Sequence, residues 1–258
     1  MLMQRRRPKP APDVEVAPPN PLLLLLEGRA PWELAALGAA LPLLRRAAPG
    51  DTHPVLVFPG LGASDLSTLP MRNLFDRLGH IALPWNQGLN FGPRPGVLEQ
   101  CEADLEAAYR RYHRKASLVG WSLGGLYARE VAKRRPDLVR SVVTLGTPFA
   151  GHPRATHAWK LFELVSGQDS HDEEALAPLR EPPSVPCTSV YSKSDGVVAW
   201  QCSVNPPGPR VENVEVPSSH IGLGVNPLAI HVVTDRLAQP EGQWKPFEAP
   251  AALRWLYR

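Results

Sequence analysis

The chain is 258 residues long, which suits one α/β domain of ordinary size or at most two small ones. Hydrophobic residues make up 43% and charged residues 21%, enough apolar side chain for a core and against disorder throughout. The 28 basic and 25 acidic residues leave +3, too little charge to argue for a nucleic-acid partner. Heptads, internal repeats and zinc-ribbon cysteine spacing are all missing, against a coiled coil, a solenoid or a disulfide-built miniprotein.

The chain opens with Arg5, Arg6, Arg7 and Lys9. A secretory signal would follow that charge at once with an apolar run, and here six prolines fall between Pro8 and Pro21 instead, so no signal peptide is recognised. Apolar runs come later, at Leu22–Leu26 and Trp32–Leu44, with Glu27, Gly28 and Arg29 between them. Neither approaches the ~20 residues that span a bilayer. We expect a flexible Pro-rich basic tail over 1–21 and an N-terminal helical segment over 22–53. That segment packs on the domain or over its active-site mouth, with membrane-surface contact through 22–44 as the sharper alternative. The three cysteines, Cys101, Cys187 and Cys202, form no dense framework. They fit a reducing compartment, hence a cytoplasmic protein with peripheral membrane attachment as the alternative. A Cys187–Cys202 bridge stays open.

From residue 54 the pattern is regular. Val55–Phe58 is wholly apolar, as in a strand buried on both faces. Thr68 is a candidate cap for a helix carrying Met71, Leu74, Phe75 and Leu78, and Gly79 sits where a helix-terminating glycine belongs. His80–Pro84 reads as a second strand, and 85–96 as a loop rich in Gly, Asn and Pro. Apolar residues recur at helical spacing over 97–114. Ala116–Trp121 is a strand, 123–134 a helix stopped by Pro136, and Val139–Leu145 a further buried strand. Residues 148–184 are irregular, with several prolines and acidic residues. Thr188–Ser192 and Val211–Val216 are the last strands. Asn226 caps a final helix with Pro227 at its first position, running to about Leu237. The fold class is therefore α/β, with a mainly parallel central sheet and helices on both faces. The main domain covers 54–240, followed by a C-terminal extension over 241–258. Ligands of such sheets bind at the carboxyl ends of the strands.

Gly120-Trp121-Ser122-Leu123-Gly124 is a G-x-S-x-G motif joining an apolar strand to a helix. The sharp turn projects the Ser122 hydroxyl beyond the strand. Gly120 and Gly124 are needed because strand and helix approach too closely for a Cβ. Over about 54–238, with Phe58-Pro-Gly-Leu-Gly before this motif and Leu145-Gly-Thr-Pro after the next strand, the sequence resembles the α/β-hydrolase family, especially its lipase- and esterase-like members. The resemblance implies a chain order of serine, acid, histidine. Asp195 follows a strand 73 residues after Ser122, and His220 follows the last strand 25 residues later. Of the later histidines, His231 lies within the final helix. Asp169, Asp172, Glu173 and Glu174 sit in 148–184, where the resemblance implies a short cap insert, and read as solvated surface.

The resemblance implies a serine hydrolase cleaving carboxylic esters through an acyl-enzyme on Ser122. His220 is the general base and Asp195 orients it. The oxyanion donors are the backbone N–H groups of Leu123 and of Leu61, although Pro59-Gly60 stands where the family often has His-Gly. Two alternatives stay open: an acyltransferase or thioesterase with the same triad, or a non-catalytic receptor or scaffold. The expected partner is a small-molecule ester, a lipid among the candidates. Trp85, Asn90, Trp121 and Trp200 are candidate substrate-binding residues by position, with a core role as the competing reading. His152, His157, Asp169, His171 and Asp172 match no firm ligand spacing, and Gly60-Leu-Gly-Ala-Ser lacks the phosphate-loop lysine, so neither metal nor cofactor is expected.

Overall fold

The structure is a computed structural model that describes residues 16–44, 49–150, 155–157 and 178–258. The expected cap insert over 148–184 falls mostly outside these residues, as do 1–15 of the expected tail.

Six strands build the sheet: β1 Pro54–Phe58, β2 Ile81–Leu83, β3 Ala116–Trp121, β4 Val139–Leu145, β5 Cys187–Tyr191 and β6 Val211–Glu215. Their spatial order is β2-β1-β3-β4-β5-β6, and every pairing is parallel. The helices are α1 Pro21–Leu25, α2 Ala30–Leu44, α3 Asp65–Arg77, α4 Val97–Tyr112, α5 Leu123–Arg134 and α6 Pro227–Ala238, with a 3₁₀ turn Leu26–Arg29 between α1 and α2.

Both faces of the sheet are covered, and the strand alternation says by what. Val55 and Val57 of β1, Val119 of β3, and Val143 and Leu145 of β4 join a core with α2, α3 and α6. The intervening Leu56, Phe58, Leu118 and Val142 join a second core with α4 and α5. Side chains of period two thus feed two apolar layers, which is why these strands read as unbroken apolar runs. The chain leaves β1 on one side for β2 and returns past it to β3 on the other. Loops from the carboxyl ends of β1 and β3 therefore diverge from adjacent strands, which opens a crevice there.

Several local expectations shift. Helix α3 starts at Asp65 rather than near Thr68. Asp65 turns its carboxylate to the backbone N–H groups of Trp85 and Asn86, at 2.7 and 3.0 Å, and Thr68 is buried. Gly79 does end α3, at φ +92°. Asn226 caps α6 by accepting from the Leu228 N–H at 2.9 Å, with Pro227 at the first helical position. Residues 16–20 are not a free tail. Val16 packs against Ala155, Val198, Ala199 and Cys202, and the Pro19 carbonyl pairs with His157 Nε2 at 2.8 Å. Helix α2 lies along α6 and buries Leu37 and Leu44 in the first core. Among the described residues no helix is long and apolar enough to cross a membrane. Cys101, Cys187 and Cys202 are buried and unbridged.

Replacing Asn226 with Ala leaves the first N–H groups of a largely buried helix without their side-chain acceptor. The expected loss is about 1 kcal/mol of stability in a urea unfolding curve.

Candidate active site

The turn between β3 and α5 carries the site. Ser122 stands there at φ +52°, ψ −123°, in a region that L-residues rarely occupy. Its amide N–H donates to the Leu145 carbonyl of β4 at 2.8 Å, and its own carbonyl accepts from Gly125 N–H at 3.0 Å. The two glycines of the motif are required by space. A Cβ on Gly120 would run into the Gly125 backbone, and one on Gly124 into the Phe58 carbonyl. The start of α5 is thereby seated against the end of β1.

The structure brings Ser122, Asp195 and His220 together. His220 Nε2 lies 2.9 Å from Ser122 Oγ, and His220 Nδ1 lies 2.7 Å from Asp195 Oδ2. Both distances are within the range a proton relay needs. Asp195 and His220 are buried. The other oxygen of Asp195 accepts from the Val197 and Val198 N–H groups at 2.8 and 2.7 Å, which holds the carboxylate in place. Gly146 at the end of β4 supports the pair, because a Cβ there would press on Leu223, His220 and Asp195 at once. Burial by itself opposes charging the His220 ring. The carboxylates of Asp195 and Glu27 outweigh that effect, so the imidazole titrates above its ordinary value.

The residues expected to supply the oxyanion donors, Leu123 and Leu61, lie on the two segments that meet at this turn. Leu123 is the first residue of α5, so its N–H points out of the helix start. In the facing loop, an added Cβ on Gly60 would lie 3.3 Å from Ser122 Cβ. Gly62 N–H is spent on the Asn90 carbonyl and Ala63 N–H on the Gly60 carbonyl. Leu61 N–H has no such partner among the described residues, and it neighbours Gly60.

The positional candidates fare differently. Asn90 is buried and braces the Pro59–Ala63 loop: its Nδ2 donates to the Pro59 carbonyl at 2.8 Å and its backbone pairs with Gly62 and Ala63. Trp85 is a core residue, set between Phe58 and Tyr127. Trp121 turns behind the histidine loop, donating its indole N–H to the His220 carbonyl at 3.1 Å and packing on Gly224. Trp200 stacks on Tyr191, with Lys193 Nζ over its ring at 5.1 Å from the centre.

Residues that sequence reasoning did not assign come from the N-terminal segment. Glu27 is buried and accepts from Gly196 N–H and His220 N–H on one oxygen and from Ile221 N–H on the other, at 2.8, 2.9 and 2.9 Å. Glu33 accepts from the Ser219 N–H and hydroxyl at 2.9 and 2.6 Å. Arg29 pairs with Glu33 and donates to the Ser194 carbonyl and hydroxyl at 3.0 and 2.8 Å. The one available signal was the charged interruption between two leucine-rich runs.

Among the described residues, one group has metal-ligand chemistry: Asp51, His53 and His80, with donor atoms within 4.8 Å of one another. It lies at the amino end of β1, away from Ser122. Arg140 already holds the Asp51 carboxylate at 2.7 Å, and burial lowers the titration of His53 to about 4. Arg140 engages Asp51 Oδ2, while Asp51 Oδ1 pairs with His53 Nδ1 at 2.5 Å. Of the insert residues weighed as ligands, His157 bonds to Pro19, and His152, Asp169, His171 and Asp172 lie outside the described residues.

No protein-family model matches the chain, and no curated protein sequence matches it. Solved structures do. Aspergillus fumigatus lipase B aligns over 77% of this chain and 57% of its own, with 19% identity and a TM-score of 0.60. The mature Bacillus licheniformis lipase BlEst2 aligns over 74% and 94%, with 16% identity and a TM-score of 0.55. An α/β superfamily hydrolase from Oenococcus oeni aligns over 72% and 91%, with 16% identity and a TM-score of 0.51. The chain thus spans little more than half the length of the fungal lipase. At these identities the likeness establishes the fold: the chain has the α/β-hydrolase fold.

A Gly124→Ala substitution forces a methyl group into the end of β1. We expect about 1–3 kcal/mol of destabilisation in thermal or urea unfolding, with a displaced Pro59–Ala63 loop in the variant structure.

Proposed function

We propose that the chain is a serine hydrolase that cleaves carboxylic esters through an acyl-enzyme on Ser122. The observation that carries this reading is the hydrogen-bonded series Ser122–His220–Asp195 at a strained strand-to-helix turn. A serine hydroxyl is a weak nucleophile until a base takes its proton. His220 Nε2, 2.9 Å away, receives that proton as Ser122 Oγ attacks the ester carbonyl. Asp195 fixes the tautomer, since its Oδ2 accepts from the protonated Nδ1 and leaves Nε2 free as the base. It also stabilises the imidazolium that forms. The negative oxygen of the tetrahedral intermediate is received by the N–H groups of Leu123 and Leu61, helped by the positive end of α5. The imidazolium returns its proton to the departing alkoxide, and water deacylates Ser122 by the same steps reversed.

An apolar acyl or alcohol group suits the surroundings. Ile221, beside His220, is exposed, and Leu61 is partly so. Leu22, Leu25 and Trp32 stand exposed on the N-terminal segment and support a peripheral contact of 22–44 with a lipid surface as the source of such esters.

Hydrolysis of p-nitrophenyl esters from C2 to C16 tests the reading. Serine-dependent turnover is expected, and Ser122→Ala or His220→Ala should lower kcat by several orders of magnitude, up to about 10⁶-fold. Near-wild-type turnover in either variant would end the assignment. The pH profile gives an independent check. The neutral imidazole is the working form, and its titration is raised. Activity should therefore rise with pH through a midpoint above the ordinary histidine value of ~6.5. A profile flat from pH 5 to 8 would remove His220 as the base.

A further inference from the structure

Three polar side chains in the short stretch Glu27–Glu33 reach the two loops that carry Asp195 and His220. Arg29 holds Ser194, on one side of Asp195, and Glu27 holds Gly196, on the other. Glu33 holds Ser219, before His220, while Glu27 holds His220 itself and Ile221 after it. Glu27 is the hinge of this arrangement, because one oxygen accepts from both loops at once. Its backbone donors lie 169, 193 and 194 residues away in sequence. The fit has no slack. A Cβ on Gly196 would strike the Leu23 carbonyl, and one on Gly222 would strike the Glu33 carboxylate.

We infer that Glu27 is a positioning residue for the hydrolytic triad: its buried carboxylate locks the acid loop to the base loop and sets a second negative charge against the backbone of His220. The inference rests on the reading of Ser122 as an acylated nucleophile.

Chemistry favours a carboxylate in this place over a neutral acceptor. Three converging N–H groups need lone pairs on two oxygens, which a carboxylate supplies and a carboxamide does not. A glutamine would turn its NH₂ towards one of the donors and leave both unsatisfied in a buried setting. The charge also has an electrical consequence. Among the described residues, the groups facing His220 are Asp195 from the loop after β5, Glu27 from the N-terminal segment, and Ser122 from the start of α5. Glu33 stands one residue away, paired with Arg29, and Gly146 and Leu223 contribute no charge. Asp195 and Glu27 together therefore favour the imidazolium, in the direction its titration takes.

The test compares wild type with Glu27→Gln, Glu27→Asp and, as a remote charge control, Glu99→Gln on the exposed face of α4. Two quantities are read. One is kcat and KM for a p-nitrophenyl ester across pH. The other is the titration of the His220 ring by NMR, assigned with a His220→Gln variant, which requires no turnover. In Glu27→Gln we expect kcat to fall roughly 10- to 100-fold with little change in KM. The acid-limb midpoint and the ring titration should both move to lower pH, since a negative charge has been removed. Glu27→Asp keeps the charge but shortens the reach. It should lose kcat with the titration near wild type, and it serves if the Gln variant does not fold. Glu99→Gln should match wild type in both. A folded Glu27→Gln with an unmoved titration would reduce Glu27 to a merely structural tie and overturn the inference, as would a Glu27→Asp with wild-type kcat. A wild-type protein with no turnover and no labelling of Ser122 by a fluorophosphonate would instead sink the hydrolase reading, while the NMR comparison would still decide the role of Glu27.

Discussion

The backbone of Ser122 is the constraint on which the rest of the site depends. A non-glycine residue at φ +52° and ψ −123° costs about 1–3 kcal/mol and persists only where its surroundings leave no alternative. Here three neighbouring strands supply that compulsion. β3 delivers the chain to the turn, β4 accepts the Ser122 N–H through Leu145, and the end of β1 lies directly against Gly124. All three must run parallel and in the order β1-β3-β4 for these contacts to coincide. The same order puts the loop of Gly60 and Leu61 over the start of α5. The placement of Ser122 and of the residues proposed as oxyanion donors is thus one consequence of sheet topology, and the glycines are the places where that topology leaves no room for a side chain.

Asp195 and His220 obey a different rule. They sit on loops after β5 and β6, beyond the hydrogen-bond ladder, so other groups must fix them. Ser192 and Ser194 donate their hydroxyls to the Ser218 carbonyl at 2.7 and 3.0 Å, tying one loop to the other. Trp121 ties the nucleophile strand to the His220 carbonyl. The N-terminal segment closes the arrangement from outside, with α2 anchored on α6 by Leu37 and Leu44 and the turn before it inserting Glu27. Burying that carboxylate without hydrogen bonds would be costly, and three backbone donors offset the cost.

How much of this was legible in the sequence follows from the range of each signal. Unbroken apolar runs and helical apolar periods are local, so the strands and α4 to α6 emerge close to their true limits, while α3 starts earlier than Thr68. The serine turn is local too, since Gly120, Ser122 and Gly124 lie within five residues. Asp195 and His220 needed a resemblance to supply their order, and the structure then set them within hydrogen-bond distance of each other. Glu27 could not be read, because in a leucine-rich run a single acid looks like a spacer and its partners lie far along the chain. The loop residues show the converse limit. A loop after a strand locates Trp85 and Asn90 near the carboxyl edge of the sheet but does not say which way they point. Trp85 turned into the core, and Asn90 turned its amide onto the backbone of the Gly60 loop.

The charge balance around His220 gives the two buried carboxylates a directional role. Among the described residues no lysine or arginine touches Asp195 or Glu27. Their charges are met by five backbone N–H groups, from Val197 and Val198 for Asp195 and from Gly196, His220 and Ile221 for Glu27. In the mechanism proposed above, the positive charge that forms beside these carboxylates is the imidazolium, produced by proton transfer from Ser122. An interaction that strengthens only as the barrier is climbed lowers the barrier, whereas one equally strong in the resting state would not. Because the donors belong to backbone already held by the fold, little reorganisation is needed when the charge appears.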